Sequence, residues 1–415
     1  MKILIVGKGG REHALARALK DSPSHPEVYA CPGSEGMAAA ARPVPGIPDI
    51  AALIAWMRHE EVDLCVAGEE AWLARGLADA CQAAGIPCFG PPMKGAQLES
   101  SKIHAKEFMT RHRVPTGSFE VVESAEACRA AIRAYPAVLK YNGLAAGKGV
   151  AVCTGPEMAE EFIDSVFTRK QFGEDRVFVE EFLEGKEVSV ICAVSDGEAL
   201  YFTPARDYKR LKENDEGPNT GGMGAVASRQ LLPKETIERI QREVIDPTLR
   251  GLVEDDLNYR GFLYFGIILT REGPKVLEFN CRFGDPEAQA VLPLIEGDFA
   301  QFLLKAAKGE IDPGLIQFNE GWCITLVLAT RDYPRSSGSG DPIHGLDAVT
   351  DGRVYHAGTR KIADGGFETN GGRVLAVSQT GATREEARDA AYADLAKISF
   401  DGAQFRTDIG TLHFE

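Results

Sequence analysis

Over residues 1–100, short apolar runs alternate with helix-length stretches, and no other feature of the sequence constrains the fold as much. Lys2–Val6, Val28–Cys31, Leu64–Ala67 and Cys88–Phe89 read as strands, while Glu12–Lys20, Ile50–His59 and Trp72–Ala84 carry helical periodicity. Strand–helix alternation with short links implies parallel strands, each covered by the helix that returns the chain. The expected class is α/β, opening with a doubly wound parallel-sheet domain at 1–100.

The pattern then changes. A helix from about Ser101 to His112 ends at Val114-Pro115-Thr116. Short elements follow: strands Ala137–Lys140 and Gly149–Cys153 around a glycine-rich turn, helix Pro156–Phe167 and strand Val177–Phe182. They predict a small mobile lid at about 119–187. Glu187–Val194 and Leu200–Pro204 pair around Asp196-Gly197, a long polar loop runs from Asp207 to Gly224, and a helix spans Pro233–Glu254. Gly261–Thr270 and Lys275–Asn280 form a hairpin through Arg271-Glu272-Gly273. A central region at 101–315 is therefore expected. The remainder, 316–415, reads as an α+β domain with strands Cys323–Ala329 and Val374–Gln379, turns at 338–342 and Gly365-Gly366, and helix Thr383–Ile398. Three domains also suit 415 residues at roughly 150 each.

Composition removes several function classes. With 46 basic and 61 acidic residues the net charge is −15, which repels phosphate polymers and argues against nucleic acid. No apolar run approaches the roughly 18 residues of a membrane span. Met1–Gly7 enters a strand at once, leaving no room for a signal or transit peptide. Nine scattered cysteines with no Cys-x-x-Cys pair fit reduced, buried thiols in a cytoplasm better than disulfides or zinc.

Several segments carry chemistry. Gly7-Lys8-Gly9-Gly10-Arg11-Glu12-His13 joins a strand to a helix, and such a turn offers backbone N–H groups to an anion. As a dinucleotide fingerprint it fails twice: Glu12 occupies the third glycine position, and Cys31-Pro32-Gly33 stands where an acid should end the second strand. Gly143–Val150 lacks P-loop spacing and lies between two strands, which suits a glycine flap over phosphates, with the Lys140 ammonium beside it. Glu180-Glu181-Phe182-Leu183 closes a strand and Glu187 opens the next. Alternation sets Glu180 and Phe182 on one face, Glu181 and Leu183 on the other. The backbone of this hinge suits an adenine edge, and a nearby acid the ribose hydroxyls. In Leu277–Asp285, Glu278 and Asn280 stand at i and i+2 of a strand, so two hard oxygens share a face, as octahedral Mg²⁺ requires. Arg282 continues on that face, and an arginine so placed contributes roughly 10³–10⁵ in rate to phosphoryl transfer. Asp207-Tyr208-Lys209-Arg210 and the four-glycine run Gly217–Gly224 lie on the long loop, where backbone can approach a ligand closely.

Taken in order, Gly7–Ala14, Gly143–Val150, Gly217–Gly224, Glu278–Asp285, Thr369–Val374 and Phe405–Gly410 resemble the phosphoribosylamine–glycine ligases (glycinamide ribonucleotide synthetases), a family of the ATP-grasp superfamily. The resemblance implies ATP-grasp central domains with a small mobile lid and a cytoplasmic enzyme of purine synthesis, monomeric or a small homo-oligomer. It implies that ATP phosphorylates the glycine carboxylate and that 5-phosphoribosylamine attacks the acyl phosphate, with Mg²⁺, or alternatively Mn²⁺, as the metal. Carried over, Lys140 and the flap with Gly147, Lys148 and Gly149 resemble the phosphate clamp. Lys102, with Lys106 as the alternative, resembles the superfamily's other phosphate lysine. Glu180, Glu181, Leu183 and Glu187 would face adenine and ribose, and Glu278 and Asn280 would hold the metal. Arg282 would meet the transferred phosphate or the glycine carboxylate. Gly9, Gly10, Arg11 and Glu12 would receive the sugar phosphate, and Asp207 and Lys209 would border the amine or glycine site. The chain departs from the family pattern at Lys8, Tyr141-Asn142, Glu69, Trp72, Arg206 and Tyr208, mostly where the amine and glycine are expected. Two alternatives follow: a paralogous ligase with another amino acid or amine, and a catalytically silent nucleotide-binding regulator. Glu278, Asn280 and Arg282 argue against the second.

Overall fold

The strands β1 (Lys2–Gly7), β2 (Glu27–Pro32), β3 (Arg42–Pro43), β4 (Leu64–Ala67) and β5 (Cys88–Phe89) form a parallel sheet in the order β3-β2-β1-β4-β5. This computed structural model describes residues 1–143, 149–173, 175–350 and 352–411. The helices are α1 (Gly10–Lys20), α2 (Ile50–His59), α3 (Glu70–Ala74), α4 (Leu77–Ala84) and α5 (Met93–Ser100). β1 through β3 build outward on one side and β4 and β5 on the other, so the winding reverses between β1 and β4. Ligands of open α/β sheets bind in the crevice beyond the strand ends at such a reversal. Here Gly7 ends β1 and Gly68 follows β4, and the Glu12 side chain lies against both: a Cβ on Gly68 would come 2.6 Å from the Val6 carbonyl and 2.7 Å from Glu12 Cγ.

Two expectations for this domain need correction. The single helix Trp72–Ala84 is broken into α3 and α4 at Gly76, whose φ of +87° no helix accommodates. Helix α5 was not expected, because Met93–Ser100 has no clear apolar stripe and follows Gly90-Pro91-Pro92.

Ser101 caps α6 (Lys102–Arg111), accepting from the His104 amide at 3.2 Å. Next comes a four-stranded antiparallel sheet in the order β6-β9-β7-β8, from β6 (Phe119–Val122), β7 (Ala137–Tyr141), β8 (Val150–Cys153) and β9 (Val177–Glu181). Helices α7 (Ala125–Ala131) and α8 (Pro156–Ile163) cover one face. Period-two alternation divides the sheet: Leu139, Tyr141, Val177 and Val179 pack into a core of their own, leaving Val138, Lys140, Phe178 and Glu180 on the other face.

The central sheet contains β10 (Lys186–Ser195), paired off its main path with β11 (Glu198–Tyr201), together with β12 (Ala205–Asp207) and β15 (Gly224–Ser228). Between these last two lies a separate hairpin, β13 (Arg210–Lys212) and β14 (Glu216–Asn219). The expected polar loop at 207–224 therefore contains this hairpin; short charged and glycine-rich strands give no apolar alternation to read. Helices α9 (Lys234–Ile240) and α10 (Asp246–Glu254) lead to the expected hairpin, β16 (Arg260–Leu269) and β17 (Pro274–Asn280). Trp322–Ala329 pairs with β15, and Arg373–Gly381 and Arg353–His356 follow, so the C-terminal strands extend the central sheet. Gly338–Ile343, expected as a turn, is a strand paired with Phe367–Gly371. All nine cysteines are free thiols, and no described helix is long and apolar enough to cross a membrane.

Candidate active site

The polar face of the small sheet roofs a cavity of about 630 Å³ above β17, with α6 as a side wall. Lys102, Lys106 and Met109, one face of α6, point into it, as do Val138, Lys140, Val150 and Phe178 from the roof. Apolar walls with a few converging charges suit a planar ring carrying an anionic tail.

The charges converge on Glu180, which is 3% exposed. Lys106 pairs with its Oε1, and Lys140 Nζ lies 2.5 Å from its Oε2. Burial drives the Lys106 ammonium down to about 8 against the opposing pull of Glu180. Lys102 is also lowered by burial, and its Nζ donates to the Gly143 carbonyl at 2.9 Å. Both candidate helix lysines thus line the cavity, Lys106 deeper than Lys102. Gly147 and Lys148 fall outside the described residues; Gly149 accepts from the Tyr141 amide at 2.8 Å, closing the base of the flap. Asn142 accepts from the Ile103 amide at 2.9 Å and donates to Asp175 at 2.9 Å, so Tyr141-Asn142 anchors that base to α6.

Glu181, Leu183 and Glu187 also border the cavity. β9 ends at Glu181, so the alternation expected through Leu183 stops there: Glu181 accepts from Ser118, and Leu183 is buried. Glu187 pairs with Lys209 at 3.0 Å, and the ammonium holds this carboxyl below its usual range. Burial opposes the Lys209 charge, yet Glu187, Glu278 and Asp207 around it raise its pKa well above the ordinary lysine value.

A β-bulge presents Glu278. Opposite Gly266 stands Glu278, but opposite Ile267 stands Val276, so Leu277 is an extra residue. Val276 faces the core, and unbroken alternation would have sent Glu278 there too. The extra residue resets the phase, leaving Glu278 partly exposed in the cavity and Phe279 in the core. The Leu277 carbonyl accepts from Lys140 Nζ at 3.4 Å. Asn280 shares the Glu278 face; its amide nitrogen donates to Glu99 Oε1 at 3.0 Å, which leaves the oxygen as its metal-binding atom. The two oxygens fit a hard divalent cation, although only Glu278 lines the cavity itself.

The expected substrate residues fall into two groups. Arg282 does not line the cavity: its guanidinium bridges Glu99 (2.8 Å) and Glu70 (3.2 Å) at the edge of the parallel sheet. Burial raises Glu99, with Arg282 opposing, and its other oxygen accepts from the Cys281 amide at 2.7 Å. Beside it, Arg11 Nε bonds Glu12 Oε1 at 2.5 Å, and Glu12 Oε2 accepts from the Gly9 amide at 2.7 Å. Glu12 thus takes up the Gly9 donor expected for the sugar phosphate, while Gly10 packs near Gln289. The second group is Asp207 and Lys209. Asp207 Oδ1 is buried with no hydrogen-bond partner among the described residues, and burial together with Glu287 raises this carboxyl well above its usual value.

Glu70, Glu99, Glu287 and Arg373 were assigned no role from the sequence. Arg373 lies 3.0 Å from Asp285 and donates to its carbonyl at 2.8 Å. Glu70 stands between the departures Glu69 and Trp72, Glu99 two residues before Ser101-Lys102 and Glu287 two after Asp285, so each sat beside a motif without belonging to a readable pattern; Arg373, inside Thr369–Val374, carried a signal. Of the departures, Tyr208 is buried, its ring flanked by the Arg206 and Arg406 guanidiniums at 5.1 and 5.0 Å, and its hydroxyl accepts from the Gly410 amide. It braces the C-terminal segment and does not line the cavity.

A small lid sheet facing a larger antiparallel sheet across a lysine-lined cavity, behind a parallel-sheet domain, defines an ATP-grasp ligase, an enzyme class that uses ATP and a divalent metal. Models of the N, ATP-grasp (A) and C domains of phosphoribosylglycinamide synthetase match residues 1–99, 100–288 and 323–412, and the chain belongs to that family. It is 41% identical to the phosphoribosylamine–glycine ligase of Salmonella typhimurium over 420 residues, 99% of this chain and 98% of that one. The crystal structure of phosphoribosylamine–glycine ligase from Thermotoga maritima superposes with a TM-score of 0.87 at 33% identity, covering 99% of this chain and 100% of that one. A biotin carboxylase domain from Hydrogenobacter thermophilus shares the fold (TM-score 0.72, 20% identity, 97% of this chain, 91% of that one).

Proposed function

We propose that the chain ligates glycine to 5-phosphoribosylamine through a glycyl phosphate, yielding glycinamide ribonucleotide, ADP and phosphate in purine biosynthesis. The observation that carries the reading is the buried Lys106–Glu180–Lys140 triad, joining the side wall and roof of a cavity that Glu278 also lines, in a chain whose similarity to phosphoribosylamine–glycine ligases covers 99% of its length.

Two ammonium groups on one carboxylate leave a net positive charge facing the cavity, ready for phosphate oxygens. Lys102 adds a third cation beside the Gly143 carbonyl at the base of the glycine-rich segment. The hinge at Glu181, Leu183 and Glu187 borders the base and ribose. Glu278 and Asn280 would hold Mg²⁺ or Mn²⁺, which supplies charge stabilisation on the phosphates. Asp207 Oδ1, short of a donor, is suited to the ammonium of glycine or the amine of the sugar, with Lys209 beside it. Gly9, Gly10, Arg11, Glu12 and Arg282 form the sugar-phosphate side, where an incoming phosphate would compete with Glu12 for Arg11 and the Gly9 amide. A carboxylate is inert to amines because oxide is a poor leaving group; phosphorylation supplies a better one, and the protein positions the reactants.

The division into 1–100, 101–315 with a mobile lid at about 119–187, and 316–415 belongs to the same reading, supported by the separate parallel sheet and the separate core of the lid. So does a cytoplasmic enzyme, monomeric or a small homo-oligomer, acting on small molecules; nine unpaired thiols and a net charge of −15 support this. The test is ADP release with glycine and freshly made 5-phosphoribosylamine. Turnover should need both, and ADP release indifferent to glycine would overturn the assignment.

A further inference from the structure

Three thiols that the sequence scatters are brought together beside the parallel sheet. Cys65 on β4 and Cys88 on β5 are register partners. Neighbours in a parallel sheet point to the same face, so their side chains stand next to each other. Cys81, on the last turn of α4, packs down onto that pair. The three sulfurs lie within 4.8 Å of one another, the one such grouping of metal-ligating side chains among the described residues. Cys65 and Cys81 are fully buried, and Cys88 is partly exposed. None of them lines the ATP cavity.

We propose that Cys65, Cys81 and Cys88 form a binding site for a thiophilic closed-shell cation, Zn²⁺ or Cu⁺. A Zn–S bond of about 2.3 Å places ligand sulfurs about 3.8 Å apart in a tetrahedron, so the three sulfurs need little movement to close on one ion. The ligands come from three different elements, a central strand, an edge strand and a helix, and the ion ties the edge of the sheet to α4. Three sulfurs fill three corners of a tetrahedron, and the fourth is left for a non-protein ligand such as water. In binding Zn²⁺, three S–H bonds are replaced by three Zn–S bonds, three protons pass to solvent, and the site is left with a single negative charge. The spacing 65, 81, 88 matches no zinc motif, which is why reduced thiols without zinc were expected from the sequence.

The test uses the full chain, reduced and stripped with a chelator, titrated with Co²⁺ as a spectroscopic stand-in. Sulfur-to-cobalt charge-transfer absorption should appear and saturate at one ion per chain. Oxygen ligands such as Glu278 give no such band, so the magnesium site does not interfere. Zn²⁺ should abolish it by displacement, and a parallel titration against a chromogenic Cu⁺ chelator decides between the two ions. Cys81→Ser and Cys88→Ser should lose the band while keeping magnesium-dependent turnover. A second readout needs no variant: in mild denaturant, Zn²⁺ should slow alkylation of these three cysteines while leaving that of the buried Cys128 unchanged. No charge-transfer band in the wild type, a band unchanged in both serine variants, or alkylation unaffected by Zn²⁺ would overturn the site.

Discussion

Lys140 Nζ lies 2.5 Å from Glu180 Oε2, an ion pair formed between adjacent strands with the carboxylate side chain 2% exposed. Register explains it: Val138 of β7 stands opposite Glu180 of β9, and Lys140, two residues on, shares that face. Lys106 reaches the other oxygen from α6, so one carboxylate serves two ammonium groups from separate elements. An unpaired buried charge is strongly destabilising. Glu180 holds both lysines aimed at the cavity before any phosphate arrives.

Lys140→Ala should weaken ATP binding about tenfold or more, equivalent to about 1.4 kcal/mol. Lys106 remains on Glu180, so no buried carboxylate is orphaned, and the thermal midpoint should change little. Calorimetric ATP titration beside a thermal melt checks both; unchanged affinity would remove Lys140 from the phosphate site.

ATP affinity should fall as pH rises through about 8, where the folded Lys106 loses its proton. The unfolded chain keeps that proton to about 10.4, so over this interval unfolded molecules bind more protons, and stability from this group rises with pH while affinity drops. Dissociation constants measured near pH 7 and near pH 9 should diverge, and Lys106→Arg should flatten the difference.

Glu278→Ala should remove metal-dependent turnover with little loss of stability, because the side chain is 43% exposed. Deleting Leu277 instead should destabilise the fold, since closing the bulge turns Glu278 toward the core position it now escapes. Turnover against Mg²⁺ concentration, with denaturant midpoints for both variants, separates the two effects.

Acid should loosen the contact between α1 and the C-terminal strands. Burial, with His356 and Arg17 adding to it, lowers His13 to about 3, and burial lowers His356 to about 4. The His356 amide donates to His13 Nδ1 at 2.9 Å. Both values lie below the unfolded histidine's roughly 6.5, so the stability is complete above that pH and is lost as pH falls toward the folded values, by about 2 kcal/mol per histidine at pH 5. Denaturant unfolding at pH 7.5 and pH 5 should show the loss, and His13→Asn, which keeps an acceptor, should reduce it.

Local periodicity made much of the molecule legible. The alternation of 1–100 is written in residue spacing, as are the β16–β17 hairpin and the shared face of Glu278 and Asn280. Elements without that signal escaped: the polar α5, the break at Gly76, and the charged strands within 207–224. Lys106 was only the second choice among the helix lysines, because which residue of α6 reaches Glu180 depends on how the helix docks.

Backbone geometry alone sets which side chains share a face, so the sequence by itself determined the parallel-sheet domain, the strand that carries Glu278 and Asn280, and the family resemblance. Only the tertiary structure decided the partners. Glu70 and Arg282 meet across 212 residues of sequence, Lys106 and Glu180 across 74, and three separated cysteines share one corner. Such contacts depend on how whole elements pack against one another, and no local spacing encodes that.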